Sequence, residues 1–268
     1  MAVKVAMDAM GSGEPLVLLH GLGASRRLWH RAMPLLSRDR LVVAPDLPGF
    51  GDSAPAGPGF EFEAVIEALA GPLRDRAATP FDLLGTSLGG AVALRFAVAH
   101  PELVRRLVLA APAGFSPRSG PVAFTAGRLA DPALAVRRIV GAPVASSPSA
   151  RRVLLWGAVA EPQRLPPADA RLILESSARA TRLGPALEAV LRTDLRPMLG
   201  RLEPPVGVIW GERDRVVPIS NFDFIRALRP EVVVETIPEA AHIPQLERPD
   251  AFVAAMRRVL ARLASTAS

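Results

Sequence analysis

Six short, largely apolar runs recur along the chain, at 16–19, 41–44, 81–84, 107–110, 206–210 and 232–237, each with Gly, Pro or Asp close by. Runs of this kind suit strands buried on both faces, as in a parallel sheet. Segments with helical spacing lie between them, at 28–36, 62–73, 88–99 and 252–263. The alternation predicts an α/β protein built on a doubly wound, mostly parallel sheet.

The rhythm lapses between Gly114 and Leu202 and resumes at Pro204. Strand-like runs vanish there, and short helical patterns are broken by Pro143, Pro148, Pro162, Pro166, Pro167 and Pro185. The simplest account is a mostly helical insertion between two strands of one sheet. The core then comprises residues 1–113 and 203–268, with 114–202 as the insertion. A length of 268 residues at 50% hydrophobic content is enough for one large buried core. Within the insertion, Leu154, Leu155, Trp156, Leu172 and Ile173 are expected to pack on one another, with the lining of a pocket as the alternative. The Ala/Ser tail from Ala264 is expected to fray.

A formal net charge of +6 invites a nucleic-acid reading. Lys4 is the sole lysine and the chain has no Tyr or Cys, so nothing titrates between histidine and arginine, and a pI of about 11.2 overstates a modest excess. The arginines are scattered as pairs such as Arg26-Arg27 and Arg257-Arg258, without a basic tract or interleaved aromatics, so no nucleic-acid partner is expected. The absence of cysteine excludes disulfides and thiolate metal sites, leaving oxygen or nitrogen nucleophiles. No run of about 18 apolar residues occurs, and the start of the chain lacks an apolar run with a basic flank. Neither a membrane span nor a signal peptide is expected, and the cytoplasm is the expected location. Nothing in the sequence selects an oligomeric state.

Gly85-Thr86-Ser87-Leu88-Gly89-Gly90 stands between the run at 81–84 and the helical segment at 88–99. A G-x-S-x-G match between strand and helix describes a nucleophile elbow. A serine on so tight a turn needs small neighbours, because its backbone is strained and the helix must approach the strand closely. The helix N-terminus then turns free N–H groups and its positive dipole end toward the site, which favours an alkoxide or oxyanion. The plainer alternative makes Ser87 an N-cap and the glycines parts of an ordinary turn. The partners decide between the two.

Serine is a weak nucleophile at its free pKa and needs a base, itself oriented by a carboxylate. Of the four histidines, His30 lies inside a helical pattern, and His100 lies at the far end of the segment that starts at Leu88, about 18 Å away at 1.5 Å per residue. Both are expected to be structural or surface residues. His20 closes the first strong strand, and the following Gly21-Leu22-Gly23 is a loop composition that lets backbone N–H groups approach a ligand. His242 follows the last expected strand and is the best base. Asp214 stands just after the run at 206–210, where open α/β sheets place ligand chemistry, with Glu212 as its nearest competitor. Asp169, Asp194, Asp223 and Asp250 are more simply solvated charges. The order Ser87, Asp214, His242 is the Ser, acid, His order of α/β-hydrolases. No H-E-x-x-H spacing or phosphate-cradling glycine loop occurs, so no metal and no cofactor are expected.

On these residues the chain resembles the α/β-hydrolase superfamily, specifically its lid-bearing branch of esterases, epoxide hydrolases, haloperoxidase-like enzymes and carbon-carbon bond hydrolases. His20-Gly21-Leu22-Gly23 resembles the family's HGxG oxyanion loop. Pro45-Asp46-Leu47-Pro48-Gly49-Phe50-Gly51-Asp52-Ser53 is similar to its turn after the following strand, and His100-Pro101-Glu102-Leu103-Val104 to its connection into the next strand. The resemblance covers nearly the whole chain. It implies an α/β-hydrolase fold with the insertion as a helical lid, and an oxyanion hole made by the backbone N–H groups of Leu22 and Leu88. It also implies that His20 braces its loop and that Asp46 and Asp52 support a turn. Serine at position 87 disfavours the alkyl-enzyme mechanism of the family's epoxide and haloalkane hydrolases, which use aspartate there. The expected activity is cleavage of a carboxylic ester of a small to medium apolar substrate through an acyl-enzyme on Ser87. Hydrolysis of a carbon-carbon bond in a diketone, acyl transfer and perhydrolysis share the same residues, and a ligand-binding protein with an idle triad is the alternative outside enzymes.

Overall fold

The structure, a computed structural model, describes residues 3–116, 125, 144–217, 219 and 221–265. These form a seven-stranded sheet of β1 (Met7–Met10), β2 (Glu14–Leu19), β3 (Arg40–Pro45), β4 (Phe81–Thr86), β5 (Val104–Ala110), β6 (Val206–Gly211) and β7 (Val233–Ile237). The spatial order is β1-β3-β2-β4-β5-β6-β7, and every pairing is parallel except β1 with β3. All six apolar runs fall on strands, with Val232 just outside β7. No sequence signal marked β1. Its Met-Asp-Ala-Met carries no branched residue and alternates half-buried with exposed, as an edge strand held by its ladder rather than by propensity does.

Side chains of the central strands alternate between two cores. Val17, Leu19, Val43, Leu83, Leu107 and Leu109 face one layer, which includes α2 (Phe62–Ala77) and α3 (Leu88–Ala99). Leu16, Leu18, Val42, Leu84, Val108 and Ile209 face the other, built on Trp29, α1 (Met33–Leu36) and α10 (Pro249–Ser265). The expected helix at 28–36 is instead a 3-10 turn (Arg26–Trp29) followed by the single turn of α1, with Pro34 in its first turn, where the missing N–H costs nothing. The tail is helical through Ser265, because Leu263 is buried and draws the last turn onto the sheet, whereas residues 266–268 lie outside the described part.

Between β5 and β6 the described residues form α4 (Pro148–Leu154), α5 (Pro167–Arg179), α6 (Leu183–Arg192) and α7 (Arg196–Leu199). Pro148 and Pro167 occupy first-turn positions, where their missing N–H groups cost nothing. Residues 117–124 and 126–143 of the expected insertion, Pro143 included, lie outside the described residues. After β6 come α8 (Asn221–Leu228) and α9 (Pro244–Glu247). No helix among the described residues is long and apolar enough to cross a membrane.

Near the start of β4, the fully buried Asp82 takes bonds from Arg40 Nη1 (2.6 Å), Arg106 Nη2 (2.7 Å), Arg106 Nε (2.8 Å) and Arg105 Nε (3.1 Å). Arg106 also donates to the Leu260 carbonyl and so ties α10 to the sheet. Burial opposes ionisation of Asp82, yet the bonds from Arg106 and Arg105 outweigh it and hold the carboxyl below the ordinary aspartate value. A depressed pKa gives stability that is present above the unfolded value near 3.9 and lost as pH falls through the folded one. Asp82→Asn is expected to cost about 3–5 kcal/mol at neutral pH by leaving buried guanidinium groups uncompensated. Urea denaturation at pH 7 and again near pH 3 checks this, and the gap to wild type should narrow at the lower pH.

Candidate active site

The strand order reverses between β2 and β4: the chain leaves β2 for β3 on one side and returns to β4 on the other. Such a switch point opens a crevice beyond the carboxyl ends of the strands. The loops after β2 and β4 both enter it, carrying Gly21-Leu22-Gly23 and Ser87.

Ser87 joins β4 to α3 with φ of 54° and ψ of −119°, a conformation that costs a non-glycine residue about 1–3 kcal/mol. The surrounding backbone holds it there. Its N–H donates to the Ala110 carbonyl at 3.0 Å, and its own carbonyl accepts from Gly90, Ala91 and Ala113. An N-cap serine sits in extended backbone and spends its side chain on the helix. Ser87 does neither, since its hydroxyl makes no capping bond. Glycine is required on either side of the turn: a Cβ at Gly89 would collide with the carbonyls of Leu19 and His20, and one at Gly85 with the carbonyl of Gly89. Leu88 opens α3, so its N–H has no carbonyl one turn back within the helix.

His20 is wholly buried behind this turn. The Leu47 N–H donates to its Nε2 at 2.9 Å, so the proton lies on Nδ1, which donates to the Gly21 carbonyl at 2.9 Å. Burial pushes its pKa below the ordinary histidine value. A neutral imidazole thus couples the ends of β2 and β3 and sets the Gly21-Leu22-Gly23 loop against Ser87, close enough that a Cβ on Gly21 would lie 3.2 Å from the Ser87 Cβ. Asp46 supports the neighbouring turn by accepting N–H groups from Arg26 (2.6 Å) and Asp52 (2.8 Å), and it pairs with the Arg26 guanidinium. Asp52 also reaches Arg26, at 2.9 Å.

Across the crevice, His242 Nδ1 lies 2.8 Å from Asp214 Oδ2, with the Asp214 side chain fully buried and that of His242 10% exposed. Asp214 Oδ1 is occupied by the N–H groups of Val216 (2.8 Å) and Val217 (3.0 Å), which fixes the carboxylate and leaves Oδ2 for the ring. Because a carboxylate only accepts, the ring proton belongs on Nδ1 and the Nε2 lone pair is free for chemistry. Glu212, the alternative acid, instead accepts a bond from the Thr236 hydroxyl at 2.9 Å. His100 pairs with Glu67 and Glu102 away from this crevice. Asp169 departs from expectation. It is buried, not solvated, because α5 carries it onto His30 Nε2 (3.0 Å) and Arg31 Nη2 (2.8 Å), where it anchors the insertion to the core.

Ser87 and His242 line one cavity of about 240 Å³, together with Gly21, Leu22 and Thr86. Leu154, Leu155, Leu172 and Ile173 of the insertion form much of its apolar wall, with Leu28, Val216 and Ile243. The two roles expected for the insertion's apolar residues are therefore shared out. Leu155 also belongs to a small cluster with Val159, Leu165 and Leu174, whereas Trp156 is 68% exposed. Among the described residues lining the cavity none is Arg, Lys, Asp or Glu. Glu247, which no motif singled out, accepts N–H groups from Ala241, Ile243 and Ala160 around the His242 loop.

Residues 14–249 match the family model of the alpha/beta hydrolase fold. The chain is 36% identical over 246 residues to a pimeloyl-acyl-carrier protein methyl ester esterase of Neisseria meningitidis serogroup C, covering 90% of this chain and 91% of the relative. A 2-hydroxy-6-oxo-2,4-heptadienoate hydrolase of Pseudomonas putida is 41% identical over 118 residues, 42% of this chain and 43% of that one. Among solved structures, a thermophilic esterase from Thermogutta terrifontis superposes with a TM-score of 0.81 at 26% identity, covering 97% of this chain and 94% of the other. Fold, family match and these esterase relatives agree: the chain belongs to the alpha/beta hydrolase fold family and is a serine hydrolase.

Proposed function

We propose that this hydrolase cleaves carboxylic esters whose acyl chain is neutral and apolar, through an acyl-enzyme on Ser87. The observation that carries the reading is the strained, uncapped Ser87 in one cavity wall with His242, itself held by Asp214 behind it, in the same lining. His242 Nε2 takes the Ser87 proton as Oγ attacks the ester carbonyl, and Asp214 keeps the ring in the Nδ1–H tautomer and stabilises the imidazolium. The oxyanion is received by the N–H groups of Leu22 and Leu88, each such donor contributing about 3 kcal/mol in comparable sites. The tetrahedral intermediate collapses, His242 returns the proton to the departing alcohol, and water then repeats the cycle on the acyl-enzyme. The helices of the insertion serve as a lid, supplying the acyl pocket through Leu154, Leu172 and Ile173.

Substrate class follows from the lining and the relatives. A methyl ester esterase acting on a carrier-bound acyl chain is 36% identical over most of this chain, which supports a small alcohol as leaving group and an aliphatic acyl chain. The absence of a cation among the described lining residues disfavours the dienoate named for the carbon-carbon hydrolase relative, whose carboxylate would be desolvated without a partner. The same feature favours turnover, since the product acid ionises in surroundings that do not hold its charge.

Labelling with a fluorophosphonate probe is expected for the wild type and absent for Ser87→Ala, and unlabelled, folded wild-type protein would remove Ser87 as nucleophile. Asp214→Asn, which frees the ring to take the wrong tautomer, is expected to lower kcat on the order of a thousandfold or more. In a panel of aliphatic methyl esters, those with a neutral chain should exceed their ω-carboxylate counterparts at least about tenfold in kcat/KM. Turnover of a vinylogous diketone with no activity on any ester would overturn the ester assignment.

A further inference from the structure

The Glu247 carboxylate takes no chemical step in that mechanism, yet the bonds it accepts surround the base. Oε1 receives the N–H groups of Ala241 (3.1 Å) and Ile243 (3.3 Å), the two neighbours of His242 in the chain. Oε2 receives the Ala160 N–H at 2.7 Å. The segment 157–160 is stitched to the same loops from its other side. The His242 N–H donates to the Ala158 carbonyl at 3.1 Å, and the Arg215 N–H, next to Asp214, to the Gly157 carbonyl at 3.4 Å. Three converging N–H donors call for two acceptor oxygens, which a carboxylate supplies and an amide does not. Burial pushes this carboxyl above the ordinary glutamate value against the pull of those donors, and the Asp214 charge adds to the rise, so the group is kept where ionisation is disfavoured.

We propose that Glu247 is a positioning residue for the base: by accepting the N–H groups on both sides of His242 it sets the imidazole's approach to Ser87, and through Ala160 it ties that alignment to the insertion. The inference rests on the reading of Ser87, His242 and Asp214 as the catalytic set. Ala158 and Ile243 also line the cavity, so an acyl chain seated there presses on the backbone that aligns the base.

The test compares Glu247→Gln with Leu263→Ala, a buried core change at the far end of α10 that supplies a matched loss of thermal stability without touching the site. On an aryl acetate, Glu247→Gln is expected to lower kcat on the order of 100-fold, the scale of an ångström-sized misplacement, while KM changes no more than about threefold. The stability-matched Leu263→Ala should keep kcat within about twofold of wild type. Glu247→Asp keeps the charge but withdraws it by one methylene, should show an intermediate loss of kcat, and carries the test where the glutamine variant does not fold. A Glu247 variant whose kcat tracks the core control at equal stability overturns the inference. His242→Ala in the same series separates the two readings: fluorophosphonate labelling at the wild-type rate there would overturn the catalytic set itself, and positioning by Glu247 with it.

Discussion

The close approach of α3 to the ends of β2 and β4 is the constraint on which the site depends. It is made of backbone against backbone, with Gly89 over the Leu19 and His20 carbonyls and Gly85 against Gly89, so no side-chain adjustment can absorb an added atom. Strain at Ser87 persists because both partners of the turn are already committed: β4 is paired on both sides by β2 and β5, and the Ser87 carbonyl takes N–H groups from α3 and from Ala113. The same approach brings the first-turn N–H groups of α3 beside the Gly21-Leu22-Gly23 loop. Packing and electrostatics are therefore one feature here.

The two ends of the sheet handle buried charge differently. Near the start of β4, Asp82 is surrounded by guanidinium groups that saturate both oxygens. At the carboxyl ends, Asp214 has one oxygen held by backbone N–H groups and the other given to the His242 ring. An arginine in place of His242 would pair at least as well but could not accept a proton at neutral pH. The first arrangement fixes structure, whereas the second holds one carboxylate still against an imidazole, the partner that the proposed mechanism requires.

Legibility in the sequence followed the physics of each element. Strands β2 to β6 could be read because burial inside the sheet forces a largely apolar run, β7 at the sheet edge from the three successive valines at its start, and the turn at Ser87 because only glycine tolerates its contacts. β1 could not, since an edge strand needs backbone partners more than any particular side chain. Asp169 looked like a surface charge because its burial comes from His30 and Arg31, more than 130 positions away. Glu247 was silent for a related reason: its partners are backbone N–H groups, which every residue but proline carries, so no pattern of side chains announces them. The His242–Asp214 contact was legible only through the chain order of the residues and their places after strands.

The insertion combines an apolar wall with polar anchors, and the division has a physical logic. Leu154, Leu172 and Ile173 give the cavity shape without direction, since dispersion and desolvation tolerate many arrangements of similar volume. Hydrogen bonds supply the direction: Asp169 onto His30 and Arg31, the Ser25 and Ser176 hydroxyls 3.2 Å apart, the Thr181 N–H onto the Gly49 carbonyl, and the Ala160 N–H onto Glu247. Under the proposed function, an exchange of one wall residue for another of different shape changes which acyl chain fits while leaving the frame in register with Ser87 and His242. Loss of an anchor would, under the same proposal, act on the register itself.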